Sequence, residues 1–350
     1  MLSLNDTNER KVFREKMKNR FLSFTIIMTM VLGLGGLCAC NAQSTETTSK
    51  TATELTSEES TEIESTEVMQ EESFEDDMVI IWQDEILEEC VREQLGKSTG
   101  DITYAETKEI TALCLNGKSV QTIDDLKYMP ALEDLDISST AVSDVSILAR
   151  FKNMKRFRSL NKYITDYSVL KEWTELESLE IGSRDLLDLS NMDHLDKLVE
   201  LRLSGEIKDT DKVVKIVNNN PNLRIFSMSD NKLEHFNFVN EFEHKDTFIE
   251  MYLTSFIVSG ENADIDIQNL IGFTNVRVLG VRSVNITNLS AVKELSLVDK
   301  LSFTRCELDE EGIKAISEME SLRILACSSC VIADKQTLQE MDLEELWIYE

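Results

Sequence analysis

The sequence predicts an α/β solenoid built from a leucine-rich repeat, with a parallel sheet along one concave side, and three observations predict it. First, the pattern L-x-x-L-x-L-x-x-x-x-L recurs from Ile110 to the last residues. Its units start at Ile110, Leu132, Met154, Leu176, Leu198, Leu223, Phe248, Val276, Val298, Leu322 and Leu343. The steps are 22, 22, 22, 22, 25, 25, 28, 22, 24 and 21 residues, a period that chance apolar clustering does not hold. Second, each unit changes its apolar spacing partway along. In Leu132–Ser138, Leu135 and Ile137 point one way and Asp134, Asp136 and Ser138 the other, the period of two expected of a strand. Val142, Val145, Leu148 and Phe151 follow at threes, the spacing of a tight helical or 3₁₀ return over the same layer. Third, one such strand cannot bury its face alone, so neighbouring units must stack, about 4.8 Å apart.

The elements follow in chain order. Arg10, Lys11, Arg14, Lys16, Lys18 and Arg20 precede an apolar run over 21–37 that ends in Leu37-Cys38-Ala39-Cys40. This basic, apolar and small-residue order is that of a secretion signal, and it resembles the lipobox of bacterial lipoproteins. That resemblance implies cleavage before Cys40 and lipid on its thiol, with Leu37 at −3 and Ala39 at −1. The other reading is an uncleaved anchor, because the run is at the lower length limit for a span. Both tether the chain at a membrane. Met17-Lys18-Asn19-Arg20 alone makes an ordinary start to such a signal, so synthesis starts at Met1 or at Met17.

Residues 40–75 are Ser/Thr/Glu-rich with scattered apolar residues, which predicts a disordered tether. Residues 76–109 predict a helical cap. Ile81, Trp82, Ile86, Leu87, Cys90, Val91 and Leu95 fall at helical spacing, with Asp84 as N-cap and Gly96 as stop. A second short helix is expected over 103–108, opened by Asp101 or Thr103. Residues 110–350 are then the solenoid, about eleven units. Two stretches in it, 211–219 and 309–316, read as true helices on the convex side, where curvature should increase.

Gly100-Asp101-Ile102-Thr103 through Leu113-x-Leu115, followed by Leu132-x-x-Leu135-x-Ile137-Ser-Ser-Thr-x-Val142-Ser-Asp-Val145, resembles the cap and 22-residue repeats of internalin-like leucine-rich repeat proteins, common among lipoproteins of Gram-positive bacteria. The resemblance runs from about Ile81 to Glu350. It implies a right-handed, curved solenoid and binding of a protein, sometimes a glycan, on the concave face. It also implies Asn, Thr or Cys three residues past the second strand leucine. That slot holds Thr140, Asn231, Cys306 and Cys330, but also Lys118, Lys162, Arg184, Glu206, Phe256 and Val284, so hydrogen bonding between turns should be irregular.

Composition and motifs narrow the chemistry. A formal net charge of −29 argues against nucleic acid, whose phosphates need clustered Lys and Arg. His194, His235 and His244 are not at ligand spacing and adjoin no nucleophile motif; Gly96-Lys97-Ser98-Thr99 lacks the first glycine of a phosphate loop; Asp264-Ile265-Asp266 lacks the glycine and glutamate of a calcium loop. No catalytic residue, metal site or cofactor is assigned, and an enzyme is not expected. Beyond the signal and Cys40, the thiols are Cys90, Cys114, Cys306, Cys327 and Cys330. Cys306 and Cys330 share one place in adjacent turns, close enough for a bridge, and two thiols filling the slot is the preferred reading.

Function is therefore sought on the concave strands, where charges alternate in sign. One account is ion pairing across a solvated sheet, Arg156/Arg158 against Asp134/Asp136. The other is a binding strip of Arg156, Arg158, Glu180, Arg202, Glu250, Tyr252 and Arg282, ending in exposed Trp347 and Tyr349, since Arg and aromatics dominate interface hot spots. The expected function is a lipid-anchored, extracytoplasmic binding module for a protein or glycan ligand at the bacterial cell membrane. The alternative is an assembly protein that associates through the edge of its last strand.

Overall fold

The computed structural model describes residues 73–255 and 263–349. The expected signal segment, Cys40 and nearly all of the tether lie outside these residues. The cap and repeats belong to one unit, Asp76–Glu350.

Eleven strands form one sheet in which every neighbouring pair is parallel. They are β1 (Ala112–Cys114), β2 (Asp134–Asp136), β3 (Arg156–Leu160), β4 (Ser178–Leu186), β5 (Glu200–Glu206), β6 (Ile225–Asn231), β7 (Glu250–Ser255), β9 (Val278–Arg282), β11 (Lys300–Thr304), β13 (Ile324–Ser328) and β15 (Glu345–Tyr349). Each begins two residues after the start of its predicted unit, so the repeat period sets the strand register. Two short parallel pairs lie beside this sheet: β8 (Ala263–Asp266) with β10 (Val284–Thr287), and β12 (Glu307–Leu308) with β14 (Val331–Ile332).

The inward strand positions and the apolar returns form one core. Leu135, Ile137, Leu148, Leu179, Ile181, Phe226 and Leu325 have no exposed surface. The units that step by 25, 25 and 28 residues enclose more volume, and phenylalanines fill it. Phe226, Phe242, Phe248 and Phe273 meet ring to ring at 5.3–6.5 Å, mostly edge to face.

The cap helix α1 is Glu85–Leu95, with Asp84 as N-cap and Gly96 in the left-handed region at φ 66°. Leu87, Cys90 and Val91 face the core, whereas Ile81, expected on that face, is 84% exposed. It precedes the helix and so does not share its periodicity. Two carboxylates join cap and repeats in both directions. Asp84 Oδ1 accepts from the N–H groups of Ile86 and Leu87, and its Oδ2 accepts from Gln121 and Thr122 of the first repeat. Conversely, Asp125 of the first repeat accepts from the backbone of Gln83 and Asp84. Burial would raise the Asp84 carboxyl, but the four N–H groups outweigh it and lower its pKa, while burial pushes Asp125 up. Helix α2 is Tyr104–Thr107, capped by Thr103 and not by Asp101; Glu106 completes a capping box.

On the convex side most returns are 3₁₀ turns, such as Asp124–Tyr128, Ser146–Arg150 and Ser168–Glu172. The two expected helices form as α3 (Thr210–Asn218) and α4 (Glu310–Ser317), capped by Asp209 and Asp309. A third helix, α5 (Lys335–Gln339), was not anticipated, although Asp334 supplies its cap three residues before Thr337.

The slot between strand and return is regular in five units and irregular in others, where the pairing shifts register between Gly182 and Leu186 and between Met228 and Asn231. Gly117, Ser139, Ser283, Arg305 and Ser329 all have positive φ, and each immediately precedes a slot residue: Lys118, Thr140, Val284, Cys306 and Cys330. The left-handed residue turns the chain out of the strand, so the backbone keeps the corner whatever side chain follows. The third unit is the correction. Lys162 does not fill its slot; Asn161 is buried one residue earlier and donates to Thr140 Oγ1 (3.0 Å) and the Val142 carbonyl (2.9 Å). Asn220, also buried, bridges Leu195, Leu198 and Ile216.

Cys306, Cys327 and Cys330 are all free thiols. Cys306 lies within 3.3 Å of the Thr304 carbonyl and Cys330 within 3.5 Å of the Ser328 carbonyl, in equivalent positions of adjacent turns. Burial pushes Cys306 up to about 11 and Cys327 up to about 12. Among the described residues no helix is long and apolar enough to cross a membrane.

Candidate binding face

Parallel pairing arranges the outward side chains of the sheet in rows that run across the strands. The central row reads Cys114, Asp136, Arg158, Glu180, Arg202, Ser227, Tyr252, Gly280, Ser302, Ala326 and Trp347. Its first half is charged. Beyond Arg202 it is small or aromatic.

The charged half is largely satisfied from within. Arg156 is exposed and bonds Asp134 at 2.8 Å, the cross-strand pair expected from the sequence. Arg202 is nearly buried, bonds Glu200 at 2.5 Å, approaches Glu250 at 3.9 Å and lies over the Tyr252 ring at 5.7 Å. Ser178 donates to Glu200 at 2.8 Å. Burial raises the Glu180 carboxyl against the pull of Arg202. At Glu200 burial is outweighed by Arg202 and Ser178, and the pKa falls. Arg202 is thus held by its neighbours, Glu180 is buried beside it without a hydrogen bond or ion pair to another described side chain, and both offer little surface. Arg158 differs. It stands between Asp136 and Glu180 in the row and is half-buried; its guanidinium makes no hydrogen bond or close ion pair with any described residue, although its charge helps to lower the carboxyls of Glu180 and Glu200.

Tyr252, expected as an aromatic flank of the strip, is only 7% exposed. Its ring lies over Gly280: a Cβ there would stand 2.7 Å from Tyr252 Cδ1. Burial drives its phenol pKa upward. Glycine in a strand signals such a close approach, and this is the signal that would have located the position from sequence. Past Gly280 the row continues with half-buried Ser302 and Ala326. At the far side Trp347 and Tyr349 stack, with centroids 6.1 Å apart and planes 18° from parallel. Tyr349 is exposed, as expected, but Trp347 is half-buried, its Nε1 3.3 Å from Glu345. Arg282 lies in the next row, paired in register with Thr254 and Thr304.

The face is therefore a shallow trough. Its floor is Gly280, Ser302 and Ala326, bounded by the Arg202–Tyr252 pair and the Trp347–Tyr349 stack, about 19 Å apart at four strand spacings. Val278, Lys300 and Ile324 line one side. Sequence reasoning placed the bounding residues and counted Ser302 and Ala326 among the outward positions, but missed Gly280 between Val278 and Arg282.

Elsewhere the histidines perform structural tasks or face solvent: His194 Nε2 is 3.1 Å from the Trp173 carbonyl, and His235 is exposed. Among the described residues no group of three or more His, Cys, Asp or Glu could hold a metal ion.

Sheet, returns and capped end together define a leucine-rich repeat solenoid. No protein-family profile and no curated protein matches the chain, but solved structures do. An internalin from Listeria monocytogenes superposes with a TM-score of 0.56 at 20% identity, over 77% of this chain and 76% of that one. A leucine-rich repeat protein of Leptospira interrogans gives 0.48 at 16% identity, over 69% and 61%. The functional domain of internalin J from Listeria monocytogenes, described as including a cysteine ladder, gives 0.42 at 15% identity, over 76% and 70%. The first likeness shows the same fold; at these identities none carries a ligand over.

Proposed function

We propose that the chain is a surface-held binding module that captures a protein ligand on its concave face. The observation that carries this reading is the two-part central row. Arg158 is a guanidinium with no hydrogen bond or close ion pair to a described residue, placed to meet an acidic group. The small floor between the Tyr252 and Trp347 strands takes an apolar side chain against the exposed Tyr349. Residues around the trough are already fixed by pairing and stacking, so holding a ligand costs little side-chain entropy. Internalin-like solved structures lend the reading fold-level support only.

The test is a pull-down from cell-surface extracts with wild type, Arg158→Glu, Ser302→Trp and the convex control Lys314→Glu. Both concave changes should weaken capture at least tenfold, and Arg158→Glu should also reduce its salt sensitivity. Loss with Lys314→Glu and retention with the concave changes would move the site to the convex helices. The same reading places the module on the outer face of the cell membrane through lipid on Cys40. Metabolic lipid labelling should disappear in Cys40→Ser, and an unmodified Cys40 in membrane-fraction protein would refute the anchor.

A further inference from the structure

A second recess lies away from the concave face, beside the β8–β10 pair. It is an open cleft of about 440 Å³ lined by Asn237, Asn240, Asp264, Asp266, Asn269 and Thr287. The volume lies in the range of about 300–1,000 Å³ common to small-molecule sites, yet the lining lacks the apolar walls those sites usually have. What distinguishes it is which atoms take no hydrogen bond from another described residue. Asn269 Nδ2 donates to Asn237 Oδ1 at 2.9 Å, which fixes both amides and leaves Asn269 Oδ1 as an acceptor and Asn237 Nδ2 as a donor. Asn240 Oδ1 accepts from Lys245 at 3.2 Å, leaving its Nδ2 as a donor. Asp264 Oδ1 accepts from Asn285 at 3.0 Å, leaving Oδ2 as an acceptor. The cleft thus presents two donors and two acceptors, on side chains that each have one hydrogen-bonded neighbour and otherwise face solvent.

We infer that this cleft binds a neutral sugar through neighbouring ring hydroxyls. A hydroxyl is both donor and acceptor, so a vicinal diol can give one proton to Asp264 Oδ2 and accept one from an asparagine amide. Other ligand classes fit worse. Two carboxylates repel phosphates, uronates and other anions. A calcium ion needs six to eight oxygens, but both oxygens of Asp266 are engaged by Asn288 Nδ2 at 3.0 Å, and Oδ1 also accepts from the Gln268 N–H. Amide nitrogens contribute no metal ligand. An apolar compound meets a lining that is mostly polar. The inference does not depend on the concave face, since the short pair carrying Asp264 and Asp266 is separate from the eleven-stranded sheet.

Saturation-transfer NMR on the full chain tests it, using free glucose, galactose, mannose and N-acetylglucosamine with calcium chloride as a separate probe. At least one neutral sugar should receive transfer. Asp264→Ala and Asn240→Ala should each lower its affinity ~tenfold, whereas Arg158→Ala on the concave face should leave it unchanged. Melting midpoints within a degree or two of wild type would show that the two cleft variants still fold; if Asp264→Ala does not, Asn240→Ala alone decides. The inference is overturned if none of the sugars receives transfer, if both folded cleft variants bind as well as wild type, or if calcium binds there and the sugars do not.

Discussion

Asp84→Ala should detach the cap from the first repeat, because this one carboxylate serves two elements. Oδ1 accepts at 3.0 Å from both Ile86 and Leu87, which caps α1, and Oδ2 accepts at 2.7 Å from Gln121 and 3.2 Å from Thr122, which straps the cap to the repeat. The capping half is worth about 1 kcal/mol. The strap is worth about 1–3 kcal/mol, since Thr122 is half-buried while water can serve exposed Gln121. Together the loss should be roughly 2–4 kcal/mol. Asp84→Asn separates the halves. Asparagine caps a helix well, but its single oxygen cannot serve both sets of donors, and its amide would face the N–H groups of Gln121 and Thr122. The capping half should survive and the strap should be lost. The carboxyl pKa is lowered in the folded chain, so its contribution is present above the ordinary value of 3.8 and disappears as pH falls through the lower folded value. Hydrogen exchange at the Leu87 and Thr122 amides, with urea unfolding at neutral pH and below pH 3.8, reads both halves. The reasoning is refuted if Asp84→Asn protects the Thr122 amide as well as wild type does, or if the cost of Asp84→Ala is the same at both pH values.

Three further outcomes are expected. Leu179→Asp places a charge in a layer with no exposed surface and should cost more than ~4 kcal/mol; a thermal midpoint equal to wild type would contradict the strand register. Gly280→Ala pushes a methyl to 2.7 Å from Tyr252 Cδ1 and should cost about 1–3 kcal/mol, a cost that a double-mutant cycle with Tyr252→Ala should show to be coupled. Exposed Cys114 should react with a thiol reagent in the native chain while Cys306 and Cys327, buried and with raised pKa, stay unmodified until unfolding, as peptide mass mapping after timed alkylation would report.

Cross-strand pairing also explains why a strip rich in charge offers little free charge. Side chains on neighbouring parallel strands stand about 4.8 Å apart, so opposite charges in one row engage each other before any ligand arrives. Arg156 with Asp134 is an example, whereas Arg202 is held along its own strand by Glu200. Arg158 escapes because neither in-register neighbour is within bonding distance of its guanidinium.

The repeat period determined the fold without help from tertiary structure. A spacing of two followed by a spacing of three can be buried only by stacking, so strand starts, inward residues and the Asp84 and Gly96 helix signals were legible from Ile81 onward. The slot was legible only in part. Its corner depends on a left-handed backbone residue, which Ser139, Ser283, Arg305 and Ser329 adopt although their residue types do not announce it. Where unit three lacks that corner, Asn161 replaces Lys162. The strand period indicates which positions point outward, but sequence has no term for how much of an outward side chain a neighbouring strand covers. That depends on contacts between residues about 22–28 positions apart. Only the folded sheet brought Tyr252 down onto Gly280, closed Arg202 between Glu200 and Glu250, left the Arg158 guanidinium without a hydrogen bond to any described residue, and gathered Asn237, Asn240, Asp264 and Asn269 into one cleft.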